Sequence, residues 1–363
     1  MFKSRGLILI LFCLYAAIFG KVHAVNDNIS QEKVDVDARE IVFGHIGDSY
    51  EWHITSWGDY ELTIPLPVIV HSNTTGWNVF ASTNLFPEGK VYKGFKIATE
   101  GEYEGKIVQV THNGEIVRPF DISITKNVLA LLINSAILVC CILFTSRWYK
   151  KRTPQSDAPK GFVGFMEMFV IWVEDDIIKE CVGKEYKKYS PYLLTAFFFI
   201  LVNNLMGLIP VFPGGANVTG NIAITLVLAL CTFIAINLWG NKEYWKDIFW
   251  PHVPIWLKLP VPLMPVVELF GVFTKPFALM IRLFANIMAG HSVILALTSL
   301  IFVTVSMGPA LNGTMTVVSV VFCIFMNLVE LLVAFIQAYV FTMLSAVFIG
   351  LSRMSSEKPE KAH

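Results

Sequence analysis

Phe277-Ala-Leu-Met-Ile-Arg282-Leu-Phe-Ala-Asn286-Ile-Met-Ala-Gly-His291 sets an arginine inside one of the longest apolar stretches of the chain. No acidic residue stands within three positions of Arg282 to neutralise it locally. A charge near the bilayer centre costs about 3 kcal/mol on insertion scales, and over about 10 in some simulations, so it persists where it faces a partner or water. A guanidinium also stays protonated at any workable pH, so Arg282 attracts or repels protons and hardly relays them. A buried structural ion pair is the plain alternative. The neighbouring residues favour transport.

Of the 363 residues, 55% are hydrophobic and 15% charged, with a mean hydropathy of +0.59. That profile fits an integral membrane protein and leaves little scope for a soluble multidomain enzyme. Apolar runs at 127–146, 192–211 and 221–239 are each close to the roughly 20 residues that a crossing helix needs. Two longer apolar segments occupy 259–305 and 311–351. A continuous helix of about 40 residues measures roughly 60 Å, twice the hydrocarbon thickness, so these two must tilt, bend or run partly along the membrane. Gly308-Pro309 and Asn312-Gly313 supply a turn that folds them into an antiparallel hairpin.

Basic residues give the orientation. Arg147, Lys150, Lys151, Arg152 and Lys160 follow the first run, while the loops 212–220 and 306–313 hold no Lys or Arg. Lys242, Lys246 and Lys258 follow the third run, and Arg353, Lys358 and Lys361 the last. Five crossings with the mature N-terminus outside satisfy every loop. The start of the chain agrees: Lys3 and Arg5, the apolar Gly6 to Phe19, and Val22-His-Ala24 read as a secretory signal, residues 1–24, with a retained first membrane helix as the competing reading. Between the first two runs, Phe162 to Cys181 sets Phe165, Met168, Phe169, Trp172 and Ile177 around Glu167, Glu174, Asp175 and Asp176. This amphipathic pattern suits a helix on the cytoplasmic membrane surface, or one docked on a soluble partner.

Residues 25–126 are polar and strand-like. Asp48-Ser-Tyr-Glu-Trp-His-Ile-Thr and Ile107-Val-Gln-Val-Thr alternate, and Gly58-Asp59, Pro65, Pro67, Asn73 and Asn113-Gly114 mark turns. The Asn-Gly pair is the strongest hairpin signal. The spacing of His45, His53 and His71 matches no ligand motif. None of the six cysteines falls between residues 25 and 126, so no disulfide framework is available there. The fold class is an all-α polytopic membrane protein of five membrane helices, including a long tilted two-helix hairpin, plus a small β-rich exported N-terminal domain. The expected divisions are the signal at 1–24, the exported domain at 25–126, the membrane domain at 127–353 and a cytoplasmic tail at 354–363.

The first long segment holds Glu268, Lys275, Arg282, Asn286 and His291. At about 100° per residue, Glu268, Lys275 and Asn286 each fall within roughly 40° of Arg282, and His291 projects to the opposite side. Pro276 is expected to bend this helix. The second segment sets Asn327, Glu330 and Gln337 in a stripe of about 80°. A titratable carboxylate facing a histidine across a hairpin makes a sensible proton path. Interhelical hydrogen bonding is the alternative for each, most of all for Asn327.

Arg282-Leu-Phe-Ala-Asn-Ile-Met-Ala-Gly-His291, with Glu330 and Gln337-Ala-Tyr-Val-Phe341, closely resembles subunit a of the F-type ATP synthase. Asn204-Leu-Met-Gly-Leu-Ile-Pro210, Ala216-Asn-Val-Thr-Gly-Asn-Ile-Ala-Ile224 and Glu268-Leu-Phe-Gly-Val-Phe-Thr-Lys-Pro276 add to the likeness, in the family's order. The resemblance covers about residues 122–353. It implies a stator subunit facing a rotating ring of c subunits, held by b-type stator subunits and joined to the catalytic sector. Arg282 would match the arginine that meets the ring carboxylate and blocks leakage between two offset half-channels. Asn286 and Gln337 would match polar residues beside it, and Glu268, His291 and Glu330 half-channel positions. Some members carry the acid and the histidine in reverse order, and the arrangement here is also that of the mitochondrial forms. The signal and exported domain depart from the usual pattern, as does Ala285, where many bacterial members have glycine. The exported domain is expected to cap the channel mouth or to meet an accessory protein.

The resemblance thus implies a multi-pass protein of the bacterial inner membrane in contact with lipid, with no nucleic acid partner, no cofactor and no catalytic site of its own. No GxxxxGK[ST] loop occurs, so ATP chemistry belongs to partner subunits. A secondary transporter or channel with an exported ligand-binding domain is the alternative. It would often show two matching halves with interrupted helices, and 127–239 and 259–351 show no such repeat. An intramembrane enzyme would need an HExxH or a nucleophile–base pair, and none is evident; a receptor would require a cytoplasmic signalling domain, where the short tail 352–363 follows the last run. His291 and Glu330 suggest protons as the coupling ion, since sodium prefers an oxygen cage.

Overall fold

The computed structural model describes His23–Ala24, 47–57, 60–86, 89–110, 116–152, 158–209, 212–238, 240–250 and 263–353. These residues fall into two compact units, Met1–Leu132 with Pro210–Ala216, and Ile133–Ile209 with Asn217–His363. The basic and apolar parts of the expected signal, Gly58-Asp59, Asn113-Gly114, His45 and the tail from residue 354 lie outside the described residues.

The first unit is built of strands. β1 (His23–Ala24), β2 (Glu51–Trp57) and β3 (Tyr60–Pro65) form one antiparallel sheet in the order β1-β3-β2. A second sheet orders β4 (Pro67–Ser72), β5 (Gly76–Ala81) and β9 (Phe120–Asp121) as β5-β4-β9. The third joins β6 (Phe95–Ile97), β7 (Ile107–Val110) and β8 (Ile116–Val117). β4 alternates between half-buried and buried positions, as a strand with one face on a core must. Its inner residues Val68 and Val70 pack with Tyr50, Phe80, Leu85, Phe95, Ile97 and Ile107. Tyr50 donates a 2.5 Å hydrogen bond from its hydroxyl to Asp121 Oδ2. Burial pushes the Tyr50 phenol well above its ordinary range, and the adjacent Asp121 adds to the shift.

Two expected turns are strands. Pro65 ends β3 opposite Glu51, and Pro67 opens β4 opposite Ala81. Proline is tolerated at strand ends, where its missing donor breaks no ladder. At Asn73 the expected turn forms: the β4–β5 hairpin turns through Asn73, Thr74 and Thr75 to Gly76 at φ +69°, a backbone state that glycine adopts without steric cost. Gln109 pairs with Val117 and Val110 with Ile116, as a hairpin between β7 and β8 requires.

Long helices make up the second unit. α1 (Lys126–Lys150) starts in the first unit and continues into the second. It is followed by α2 (Phe162–Trp172), α3 (Tyr186–Leu208), α4 (Ile222–Leu238), α5 (Lys242–Phe249), α6 (Leu263–Val303) and α7 (Pro309–Arg353). Among the described residues, four helical stretches are long and apolar enough to cross a membrane: Lys126–Lys150, Phe162–Leu208, Met264–Val303 and Pro309–Arg353. α4 has 17 residues, the lower end of the spanning range of about 17 to 25. α2 runs on through a π-helical stretch, Val173–Lys179. Its wider turn lets Val173, Ile177 and Ile178 all face the bundle core while Asp175 and Asp176 stay exposed. Trp172 stacks on Phe335 and Tyr339 of α7, so this segment packs on the bundle.

α6 continues as a helix through Pro276. The connection to α7 is tighter than the sequence suggests. Gly308, at φ +109°, makes the turn, and α7 begins at Pro309. Asn312 and Gly313 therefore lie in the first helical turns of α7, where proline at the first position suits the helix geometry. Asn312 Oδ1 accepts a 3.0 Å hydrogen bond from Thr304 Oγ1 across the turn.

Candidate functional site

On α7, Glu330, Ala334, Gln337, Ala338, Phe341, Thr342 and Ser345 are buried, a spacing of three and four that defines one helix face. Glu330 is 3% exposed, and its Oε1 lies 3.4 Å from His291 Nδ1 on α6. No hydrogen bond reaches either Glu330 oxygen among the described residues. The His291 imidazole is thus the polar group set beside the enclosed carboxyl. Gly290 makes the approach possible. A Cβ there would stand 2.9 Å from Glu330 Oε1 and 3.0 Å from Cδ, inside ordinary van der Waals contact.

Gln337 lies two turns along the same face and is also buried. Between it and Glu330, Asn204 Nδ2 donates to the Ala334 carbonyl at 3.2 Å, while Asn204 Oδ1 accepts from Thr219 Oγ1 at 2.6 Å. Asn217 braces the other side, donating from Nδ2 to Met288 Sδ at 3.4 Å and accepting from the Gly220 amide at 2.9 Å. No role for these asparagines was expected from the sequence. An amide pair, Asn203-Asn204, within an apolar run was the available signal, since a polar group there needs a partner.

Arg282 lies elsewhere. Leu279, Leu283 and Ile287 turn inward, and Arg282, Ala285 and Asn286 form an exposed strip on the other side of α6. Among the described residues Arg282 has no ion-pair or hydrogen-bond partner. His291 stands nine residues further on, about 14 Å along the axis and half a turn around it. Glu268 is not brought to Arg282 either. It lies about 21 Å away along the helix, near Tyr244 of α5, whose phenol burial pushes up with the carboxylate adding to the shift. Lys275 Nζ sits 5.5 Å over the Phe348 ring. Asn327 is exposed and bonds back to the Cys323 carbonyl at 2.8 Å, a local helical contact. In the first unit, His53 is exposed and His71 packs edge-on against Trp77.

A family model described as ATP synthase A chain matches residues 129–350, which include all six candidate residues. The chain belongs to the ATP synthase A chain family. The match bears out the resemblance read from Arg282 and the motifs around it. A second family model, described as a domain of unknown function, matches residues 41–126, so the ATP synthase A chain region begins just past the strand-rich segment.

The ATP synthase subunit a of Chloroherpeton thalassium is 41% identical over 270 residues, covering 72% of this chain and 76% of its own length. That of Chlorobium phaeobacteroides is 44% identical over 256 residues, or 67% of this chain and 71% of the relative. The Myxococcus xanthus protein of the same name is 42% identical over 238 residues, covering 64% and 73%.

Proposed function

We propose that the chain is the proton-conducting stator subunit a of an F-type ATP synthase, offering two offset half-channels to a rotating ring of c subunits. One observation carries the reading: Arg282 stands exposed on a 41-residue apolar helix with no partner among the described residues. A charge so placed calls for a counter-charge from another chain. A ring carboxylate has that chemistry, because it gives up its proton on nearing a fixed guanidinium and takes one up on leaving. Arg282 thereby keeps the entry and exit paths from joining.

His291 and Glu330, on the inner side of the hairpin, serve one half-channel, and Glu268 belongs to the other. Asn286 and Gln337 flank the ring interface. Protons are the coupling ion, and b-type stator subunits and the catalytic sector complete the assembly. The chain itself binds no nucleotide. Its relatives, named ATP synthase subunit a, support this assignment. The protein lies in the bacterial inner membrane with its mature N-terminus exported and its C-terminus in the cytoplasm. Residues 25–126 are an accessory domain of the exported side, and 127–353 carry the conduction.

Arg282→Ala tests the proposal. In inverted vesicles containing the assembled complex, ATP-driven proton uptake is expected to vanish while the chain remains inserted. Normal uptake by this variant would refute the role given to Arg282.

A further inference from the structure

The outward face of the β5-β4-β9 sheet is apolar, and among the described residues nothing of its own unit covers it. Cross-strand register sets Trp77 beside His71 and His71 beside Phe120. The next row pairs Val79 with Ile69, and the Ile122 amide donates to the Ile69 carbonyl at 3.0 Å. Trp77, Val79, Phe120 and Ile122 are 60%, 64%, 64% and 51% exposed. Strand alternation turns the carboxylate between Phe120 and Ile122 inward, where Asp121 accepts from Tyr50. Arg118, two residues before Phe120, is exposed.

This face is tied to the start of the first membrane helix. The Ile124 amide donates to the Pro67 carbonyl at 3.1 Å, the Lys126 amide to the Ser49 carbonyl at 2.9 Å, and the Asn127 amide to Asp48 Oδ1 at 3.1 Å. No free linker separates sheet from helix. Six residues at most about 3.6 Å each put Phe120 within roughly 20 Å of Lys126. Exposed Val128 and Leu132 then open the apolar run of α1. The sheet is therefore held close to the level at which the chain enters the membrane.

We infer that this face rests on the bilayer surface of the leaflet where α1 begins, with Trp77 and Phe120 in the headgroup region and Arg118 reaching anionic lipid phosphates. Tryptophan and other amphipathic rings favour that zone, and an apolar face with a basic rim binds it by inserting a few ångströms. Size argues against a protein occupant. Three strands by two or three residue rows cover about 200 to 300 Å², well short of the roughly 800 Å² per partner in a stable protein interface. A bilayer sets no such minimum. The inference does not depend on which ion the helices conduct.

The test uses nitroxide spin labels on the full chain, purified with its partner subunits and reconstituted into phosphatidylethanolamine–phosphatidylglycerol vesicles. The six native cysteines are first replaced, and ATP-driven pumping confirms assembly. Labels at Val79→Cys and Phe120→Cys are compared with one at Glu100→Cys, an exposed position outside the face. Lipid contact predicts a several-fold higher ratio of collisions with oxygen to collisions with a water-soluble nickel chelate at the first two sites. A nickel response equal to that at Glu100 would place the face in water. Shielding from both reagents would place it against protein, a masking segment or a partner subunit. Either result overturns the inference.

Discussion

Gly290→Ala isolates the contact between the two long helices. The new Cβ would fall 2.9, 3.0 and 3.3 Å from Oε1, Cδ and Cγ of Glu330, where relaxed carbon contacts lie at about 3.5 to 4.0 Å. An overlap of roughly half an ångström with three atoms at once must be relieved by moving the carboxyl group or the helices. Moving the carboxyl lengthens its 3.4 Å approach to His291. Moving the helices costs about 1 to 3 kcal/mol, the usual range for overpacking. Where the longer approach raises the proton-transfer barrier by about 1.4 kcal/mol, the rate drops tenfold, so passive proton flux through the membrane sector should fall roughly tenfold. Adding Glu330→Asp withdraws the carboxyl by one methylene and should restore part of that flux. Wild-type flux in Gly290→Ala, or further loss in the double variant, would refute a path through this contact.

Exchanging His291 and Glu330 together should retain more passive flux than either single replacement, because each single change sets two like groups face to face; a coupling of about 0.5 to 3 kcal/mol is the usual size for contacting residues, and strictly additive losses would separate the two. Gly350→Ala would bring a methyl within 2.1 Å of the Cys181 carbonyl, so the thermal midpoint of the solubilised chain should drop by an amount equivalent to about 1 to 3 kcal/mol. Tyr50→Phe removes a half-buried hydrogen bond to Asp121 and should cost about 1 to 3 kcal/mol in denaturant titration. Because folding raises the Tyr50 phenol, its contribution is complete below about pH 10 and declines as pH climbs above that value. Alkaline titration of stability should show this decline in the native chain and a smaller one in Tyr50→Phe, where Tyr244 keeps its own raised phenol.

Much of the fold was legible because its periods are simple. The segments read as alternating, 48–55 and 107–111, supply most of β2 and all of β7, and the apolar runs became helices. The facing of His291 and Glu330 across the hairpin was legible too. It shares one antiparallel register with the Thr298–Cys323 contact, both symmetric about a turn next to Ala310. Glu268 shows the limit of helical-wheel arithmetic, which gives direction around an axis and says nothing of distance along it. The exposure of Arg282 and the cradle at Gly290 depend on which faces meet, and no local pattern records that. Likewise the π-helical stretch of α2 follows from packing against α7, where three apolar residues are drawn to one side.

A beam loaded from the side fails first where its ends slip. α7 ends in a fixed joint: the Asn241 amide donates to the Ser352 carbonyl at 3.0 Å and Asn241 Nδ2 to the Arg353 carbonyl at 2.9 Å. The Arg353 guanidinium returns a 3.1 Å bond to Asn241 Oδ1 and also grips Glu185. A slide of one residue along the axis, about 1.5 Å, would break these together. Any neighbour that drags on the exposed strip of α6 therefore pulls on a bolted frame, and the two helices keep their alignment under the strain.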